Sequence, residues 1–158
     1  ELADLTLSVN SRRAFLKGAE LLSRRAHGKA ELMRKLMQKY PRECAEQAAD
    51  KLEKLGLIND GEFADMLAQE LYTHRKYGVS RVKQELLRRG IDRALAEEAA
   101  ERLDKDDLNR IILLLQTKYS NNLGDEKGII RTKNALLRLG YSYSDIRAAF
   151  ESIENESF

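Results

Sequence analysis

The chain has no tryptophan, one cysteine and one proline in 158 residues, and aromatic residues make up only 6% of it. A single thiol, Cys44, excludes an intramolecular disulfide framework. One proline alongside 34% charged residues suits helices and argues against a strand-rich fold. No apolar run reaches the length of a membrane span, and nothing at the start resembles a signal peptide, so a reducing, cytoplasmic setting is expected. The chain begins at Glu1 rather than Met, so an N-terminal piece is expected to be missing. Neither a phosphate-binding loop nor a dinucleotide fingerprint is present, and no Ser or Cys sits in a nucleophile motif. Paired carboxylates such as Glu97-Glu98 lie in a highly charged stretch and read as solvent-facing. The two histidines, His27 and His74, with Cys44 are too few ligands for a metal site, and each histidine reads as a solvated helix-end residue. The expectation is a non-enzyme with no metal and no cofactor.

What the chain does contain is a repeat. ELMRKLMQKY (31–40), RVKQELLRRG (81–90) and RTKNALLRLG (131–140) stand at one constant offset. The second and third copies share Lys83, Leu86, Leu87, Arg88 and Gly90 against Lys133, Leu136, Leu137, Arg138 and Gly140. The first keeps the apolar positions Leu32, Leu36 and Met37 and replaces the glycine with Tyr40. Self-similarity at a fixed period marks a repeat architecture.

Each copy reads as the middle of three helices. The spacing predicts a helix from Ser11 to about Ala26, a second to about Lys39, and a third entered at Pro41 and stopped by Gly56. Asn59 with Glu62 is a capping-box pattern for a fourth helix, to about Lys76. Gly78 is expected to end that helix through a positive φ, Ser80 to cap the fifth, and Asp92 the sixth. Asp106 or Asp107 opens a seventh, apolar nearly all round and so expected to be the most buried. The polar loop 120–127 follows, then helices from about Gly128 to Leu139 and, capped by Ser142 or Ser144, to about Ile153. Residues 1–10, with Leu5, Leu7 and Val9 alternating, read as a short strand or an extended arm, and the final ENESF as a frayed tail. The expected fold is all-α: an elongated, curved tandem array of three three-helix repeats, 11–56, 57–104 and 105–158, behind an arm at 1–10. Stacked units bury what one unit cannot.

The formal net charge of +2 hides segregation. Residues 12–39 carry nine bases against two acids, and 73–93 seven against two, whereas 43–70 carries two bases against eight acids. One polyanion-facing side and one acidic side would follow. Lys39-Tyr40, Lys76-Tyr77 and Lys118-Tyr119 each end a helix with a cation beside an aromatic. Those rings could stack on bases, but closing the core at a helix end is the favoured reading. No zinc finger or base-reading motif supports sequence-specific readout.

The stretch Gly56-Leu57-Ile58-Asn59-Asp60-x-x-Phe63-Ala64, followed by Arg75-Lys76-Tyr77-Gly78-x-x-Arg81-Val82-x-x-Glu85-Leu86-x-x-Arg89-Gly90-Ile91, resembles the core signature of the RecX regulatory proteins. The likeness is strong in the middle repeat and weaker in the flanking ones, over about residues 12–153. Val82 stands where that family more often has Ile, and Asn59 replaces one acid of the usual Asp-Asp pair. The resemblance implies a small all-α modulator of the RecA recombinase. Such a protein binds the RecA–single-stranded-DNA filament along its groove and limits ATP hydrolysis, strand exchange and co-protease activity. It needs no cofactor. The same match carries over Tyr77, Arg81, Glu85, Leu86, Arg89, Gly90 and Ile91, with Gly78, Leu86 and Gly90 expected to be structural. Arg75, Lys76, Arg81, Arg88 and Arg89 are the best contact candidates, and repeat equivalence adds Lys83 with Lys133 and Arg88 with Arg138. The expected partners are the RecA filament and the single-stranded DNA within it, with double-stranded DNA a further candidate, and a monomer is expected. The competing readings are a helical nucleic-acid-binding protein independent of RecA and a protein-interaction scaffold.

Overall fold

The structure is a computed structural model and describes residues 1–156. Those residues form nine α-helices and one 3-10 turn, with no strand among them. The helices are α1 (Leu2–Arg24), α2 (Lys29–Leu36), α3 (Arg42–Lys54), α4 (Asp60–Thr73), α5 (Val79–Arg88), α6 (Arg93–Glu101), α7 (Asp107–Gln116), α8 (Glu126–Arg138) and α9 (Tyr143–Glu156). The turn η1 spans Ser120–Asn122. The three copies of the repeat fall on α2, α5 and α8, the middle helix of each trio.

The periodicity has a direct physical outcome. Leu32, Val82 and Thr132 occupy one repeat position, Leu36, Leu86 and Leu136 another, and all six are buried. Burying each leucine or valine among them is worth about 1.5–3 kcal/mol. Helix ends are also repeated. The N–H groups of Leu57, Ile91 and Tyr141 donate to the carbonyls of Leu52, Leu86 and Leu136. In each case a glycine at positive φ, Gly56, Gly90 or Gly140, makes the turn that allows that bond. Helix starts follow the expected caps at three places: Asn59 Oδ1 accepts from Glu62 N, Asp92 Oδ2 from Ala94 N, and Ser142 Oγ from Asp145 N.

By contact, the chain divides into two compact units, Glu1–Met66 with Leu86–Ala99, and Leu67–Glu85 with Ala100–Phe158. In unit 1 a cluster of Ala14, Leu32, Leu36, Cys44, Ala45, Ala48, Ala49, Leu52 and Ile58 joins α1, α2 and α3. Small residues let α1 and α3 approach closely: a methyl group added to Gly18 would lie 2.7 Å from Leu52 Cδ1. In unit 2, Ile111, Leu114, Leu115, Tyr119, Leu136, Tyr141, Ile146 and Ala149 form the cluster under α7, α8 and α9.

Several expectations are corrected. Residues 1–10 are neither strand nor extended arm: residues 2–10 are the first turns of α1. Ser11 therefore lies inside a helix, where its hydroxyl donates to Gln47 Oε1 at 2.9 Å. α7 is not buried all round, because Leu113 is 57% exposed. Gly78 is not the positive-φ residue after α4. Lys76 is, at φ 60°, and Ser80 sits within α5 rather than capping it. The expected fraying of ENESF does not reach Glu154–Glu156, which are helical, while Ser157 and Phe158 lie outside the described residues.

Candidate nucleoprotein interface

In unit 2 the turn after α8 rests on the start of α5. A methyl group on Gly78 would lie 2.5 Å from the Gly140 carbonyl oxygen, so only glycine permits the approach. Gly78 N then donates to Leu139 O at 2.7 Å, and Tyr141 Oη donates to Lys76 O at 2.6 Å. The strained Lys76 backbone is held from the other side of the joint, and Arg75 and Lys76 are left exposed at its rim. Burial pushes the Tyr141 hydroxyl above its ordinary value.

Arg81 is absorbed by the same joint. Its Nη1 donates to the Arg138 carbonyl at 2.5 Å, and its guanidinium lies 4.6 Å from the centre of the Tyr77 ring. Glu85 Oε1 is 3.8 Å from its Nε. The guanidinium thus satisfies a helix C-terminal carbonyl, and charge reversal there would alter the joint as well as the surface. Tyr77 is half-buried beneath it. Tyr40 packs against the unit 1 cluster and Tyr119 belongs to the unit 2 cluster, as the core-closing reading expected.

The other candidates scatter. Lys83 is half-buried on α5. Lys133 Nζ lies 4.9 Å over the Phe150 ring. Arg138 offers its carbonyl to Arg81 and leaves its side chain exposed. Within unit 1, Arg88 is exposed and Arg89 half-buried at the C-terminal end of α5. Also in unit 2, Arg110 stacks 3.6 Å from the Tyr72 ring centre and donates to the Tyr72 carbonyl. The Tyr72 hydroxyl donates to Asp107 at 3.0 Å. Burial raises that phenol too.

Unit 1 contains a group that sequence reasoning placed wrongly. His27 is 3% exposed, not solvated. Its Nδ1 lies 3.0 Å from Arg25 O and its Nε2 2.9 Å from Lys35 Nζ. Glu31, 5% exposed, pairs with Arg25 at 2.5 Å and with Lys35 at 3.6 Å. Burial holds His27 below the usual imidazole range. Burial pushes the Glu31 carboxyl up, but Arg25, His27 and Lys35 together outweigh it and leave it low. The one available signal was alignment: at the repeat offset His27 falls on half-buried Tyr77 and Gly28 on Gly78. Among the described residues no group of three or more His, Cys, Asp or Glu could hold a metal ion, and no helix is long and apolar enough to cross a membrane.

Residues 59–99 match the family described as RecX, second three-helix domain. The regulatory protein RecX of Trichlorobacter lovleyi is 34% identical over 146 residues, 87% of this chain and 93% of that protein. That of Amycolatopsis mediterranei is 30% identical over 126 residues, 77% of this chain and 72% of the other. Among solved structures, the crystal structure of RecX from Lactobacillus salivarius superposes with a TM-score of 0.77 at 23% identity, covering 93% of this chain and 98% of that one. A second regulatory protein RecX gives 0.80 at 18% identity, over 95% of this chain and 76% of that one.

Proposed function

The chain belongs to the RecX family of regulatory proteins, and from that premise we propose that it acts on the RecA recombinase. In this reading it binds the RecA–single-stranded-DNA filament and mostly restrains ATP hydrolysis, strand exchange and co-protease activity. It does so as a binding protein, with no cofactor and no reaction of its own, in the cytoplasm. The observation that carries the reading is the identity of 34% across 87% of the chain. It is supported by exposed cations at the rim of the unit 2 joint, Arg75 and Lys76 first among them. Lys83 is a secondary contact, while Arg81, Tyr77 and Glu85 shape the surface from behind it.

The reading is tested by sedimenting preformed RecA filaments on single-stranded DNA with this chain. Co-sedimentation that weakens as salt rises is the expected outcome, because contacts to phosphates release counterions. A chain that stays in the supernatant while intact filaments pellet would contradict the reading.

A further inference from the structure

The same helix face has three different fates in the three repeats. Counting along α8, Lys127, Arg131, Asn134 and Arg138 recur at steps of four, three and four, which places them on one face. The residues at equivalent repeat positions are Tyr77, just before α5, with Arg81, Gln84 and Arg88 on it, and His27, just before α2, with Glu31 and Arg34 on it and Gln38 just after it. In unit 1 the first turn of α2 is covered: a methyl group on Gly90 would lie 2.6 Å from Ala30 Cβ. In unit 2 the first turn of α5 is covered by Gly140, whose added methyl group would lie 2.5 Å from Arg81 N. At the matching turn of α8 the contact is made by the chain's own η1, with the Asn122 carbonyl set against Gly128. The face beyond it is open. Arg131 and Arg138 line a groove of about 320 Å³ there with Tyr119, Asn122, Thr132 and Ala135.

The cations on this face are uncommitted. Lys127, Arg131 and Arg138 are all exposed, and none has a carboxylate partner among the described residues. Lys133, which the repeat alignment grouped with Arg138, lies on another face over Phe150.

We propose that the α8 stripe and its groove bind the phosphodiester backbone of a nucleic acid, with Arg131 and Arg138 each on a phosphate. Guanidinium groups match phosphate oxygens in a two-pronged geometry. An acidic protein surface fits less well, because protein interfaces are anchored by central apolar or aromatic groups. Here the exposed apolar residues of α8, Ile130 and Leu137, lie about a quarter turn away round the helix. A further repeat from a second copy also fails. Its corresponding turn, Gln38-Lys39-Tyr40-Pro41-Arg42, would bring cations against cations. The inference deepens the filament reading above and rests on it only for the idea that a strand is part of the target.

The test needs no RecA. A fluorescein-labelled oligothymidylate and a labelled duplex are titrated with the whole chain by anisotropy over a salt series. Arg131→Ala with Arg138→Ala is expected to weaken binding about tenfold or more. The same pair should make the log–log salt slope shallower by about 1.4 on the single strand, roughly 0.7 for each lost phosphate contact. Arg131→Lys with Arg138→Lys should retain most of the slope, and Lys133→Ala should bind as the parent does. Lys127→Glu, outside the groove lining, provides an independent variant if the alanine pair loses helicity by circular dichroism, and it should weaken binding too. Loss on one probe alone identifies a single strand or a duplex as the ligand. Unchanged affinity and slope in the alanine pair and in Lys127→Glu would overturn the proposal. So would a parent chain that binds neither probe at low salt. If the alanine pair loses filament co-sedimentation while the parent binds neither probe, the face meets protein. If strand binding behaves as expected while filaments leave the chain in the supernatant, the inference stands and the filament reading falls.

Discussion

In unit 1 the turn after α5 rests on the first turn of α2, and in unit 2 the turn after α8 rests on the first turn of α5. The glycine geometry is the same, but the residue beneath the turn has opposite charge. Glu31 sits buried among Arg25, His27 and Lys35. Arg81 reaches out instead, to a backbone carbonyl and a tyrosine ring. In unit 1 Glu31 answers Arg25 and Lys35, and Lys17, Arg24, Lys29 and Arg42 are paired with other acids, while Arg12, Arg13, Arg34 and Lys39 have no acid partner among the described residues. Unit 2 leaves Arg75, Lys127, Arg131 and Arg138 unpaired among the described residues. A high count of bases is therefore no guide to where an anion binds; which bases lack an internal acid is the better guide.

The glycines test the geometric half of that comparison most severely. Gly140→Ala combines a strained positive φ with an overlap against Arg81, and should cost about 3 kcal/mol in denaturant unfolding. Gly90→Ala meets only the Ala30 side chain and should cost about 2 kcal/mol. Gly56→Ala, with nothing within 4 Å, should cost about 1 kcal/mol. Equal losses at all three would remove the joints from the account.

Glu31→Ala breaks the charge half in unit 1. It strands His27 beside two cations, and unfolding should become easier by about 2 kcal/mol, less than for a fully enclosed pair because Arg25 is half exposed. A variant as stable as the parent would show that Glu31 is merely filling space.

The pH dependence should divide between the units. His27 has a folded pKa below its ordinary 6.5, so the unfolded chain binds more protons. Its contribution is fully present above pH 6.5 and is lost as pH falls below that. Glu31, lowered from 4.5, adds a second loss at lower pH. Tyr72 and Tyr141 are raised from 10.0, so their contribution is present below pH 10 and lost as pH rises through their folded values. Hydrogen exchange, corrected for intrinsic rates, should show α1 and α2 losing protection first in acid, and α7 and α9 first in alkali. The reverse order would contradict the burial of these groups.

Tyr141→Phe removes one hydrogen bond across the unit 2 joint and should cost about 1 kcal/mol. The smallest effect belongs to Glu20→Gln on exposed α1, where no measurable change is expected even though Lys17 and Arg24 both pair with it. A clear loss there would mean that unit 1 depends on its surface charges.

Much of this fold was legible from spacing, and the reasons are local. Positions such as Leu36, Leu86 and Leu136 cannot rotate outward without exposing the core side of their helix, so the apolar residues of 31–40, 81–90 and 131–140 identified the three middle helices. Asn59, Asp92 and Ser142 act within three residues of themselves, and their roles could be read directly. What escaped depends on distant chain. Leu2, Leu5 and Val9 are exposed on α1 while Leu7 and Ala14 face inward, so apolar residues on two sides of one helix imitated strand alternation. Gly78 was correctly singled out but for the wrong reason: it is required by Gly140, which lies 62 residues on in sequence. The engagement of Arg81 with a carbonyl 57 residues away and the burial of His27 likewise have no local signature. Of the candidate interface, the basic character of α5 was legible; which of its cations are already occupied was not.

Whether this chain restrains RecA is read out by the single-stranded-DNA-dependent ATPase of RecA from the same organism, titrated with this chain. Inhibition is expected at less than one molecule per RecA, through action at filament ends or along cooperative stretches. An unchanged ATPase in excess of this chain, with the filaments shown to be intact, would contradict it.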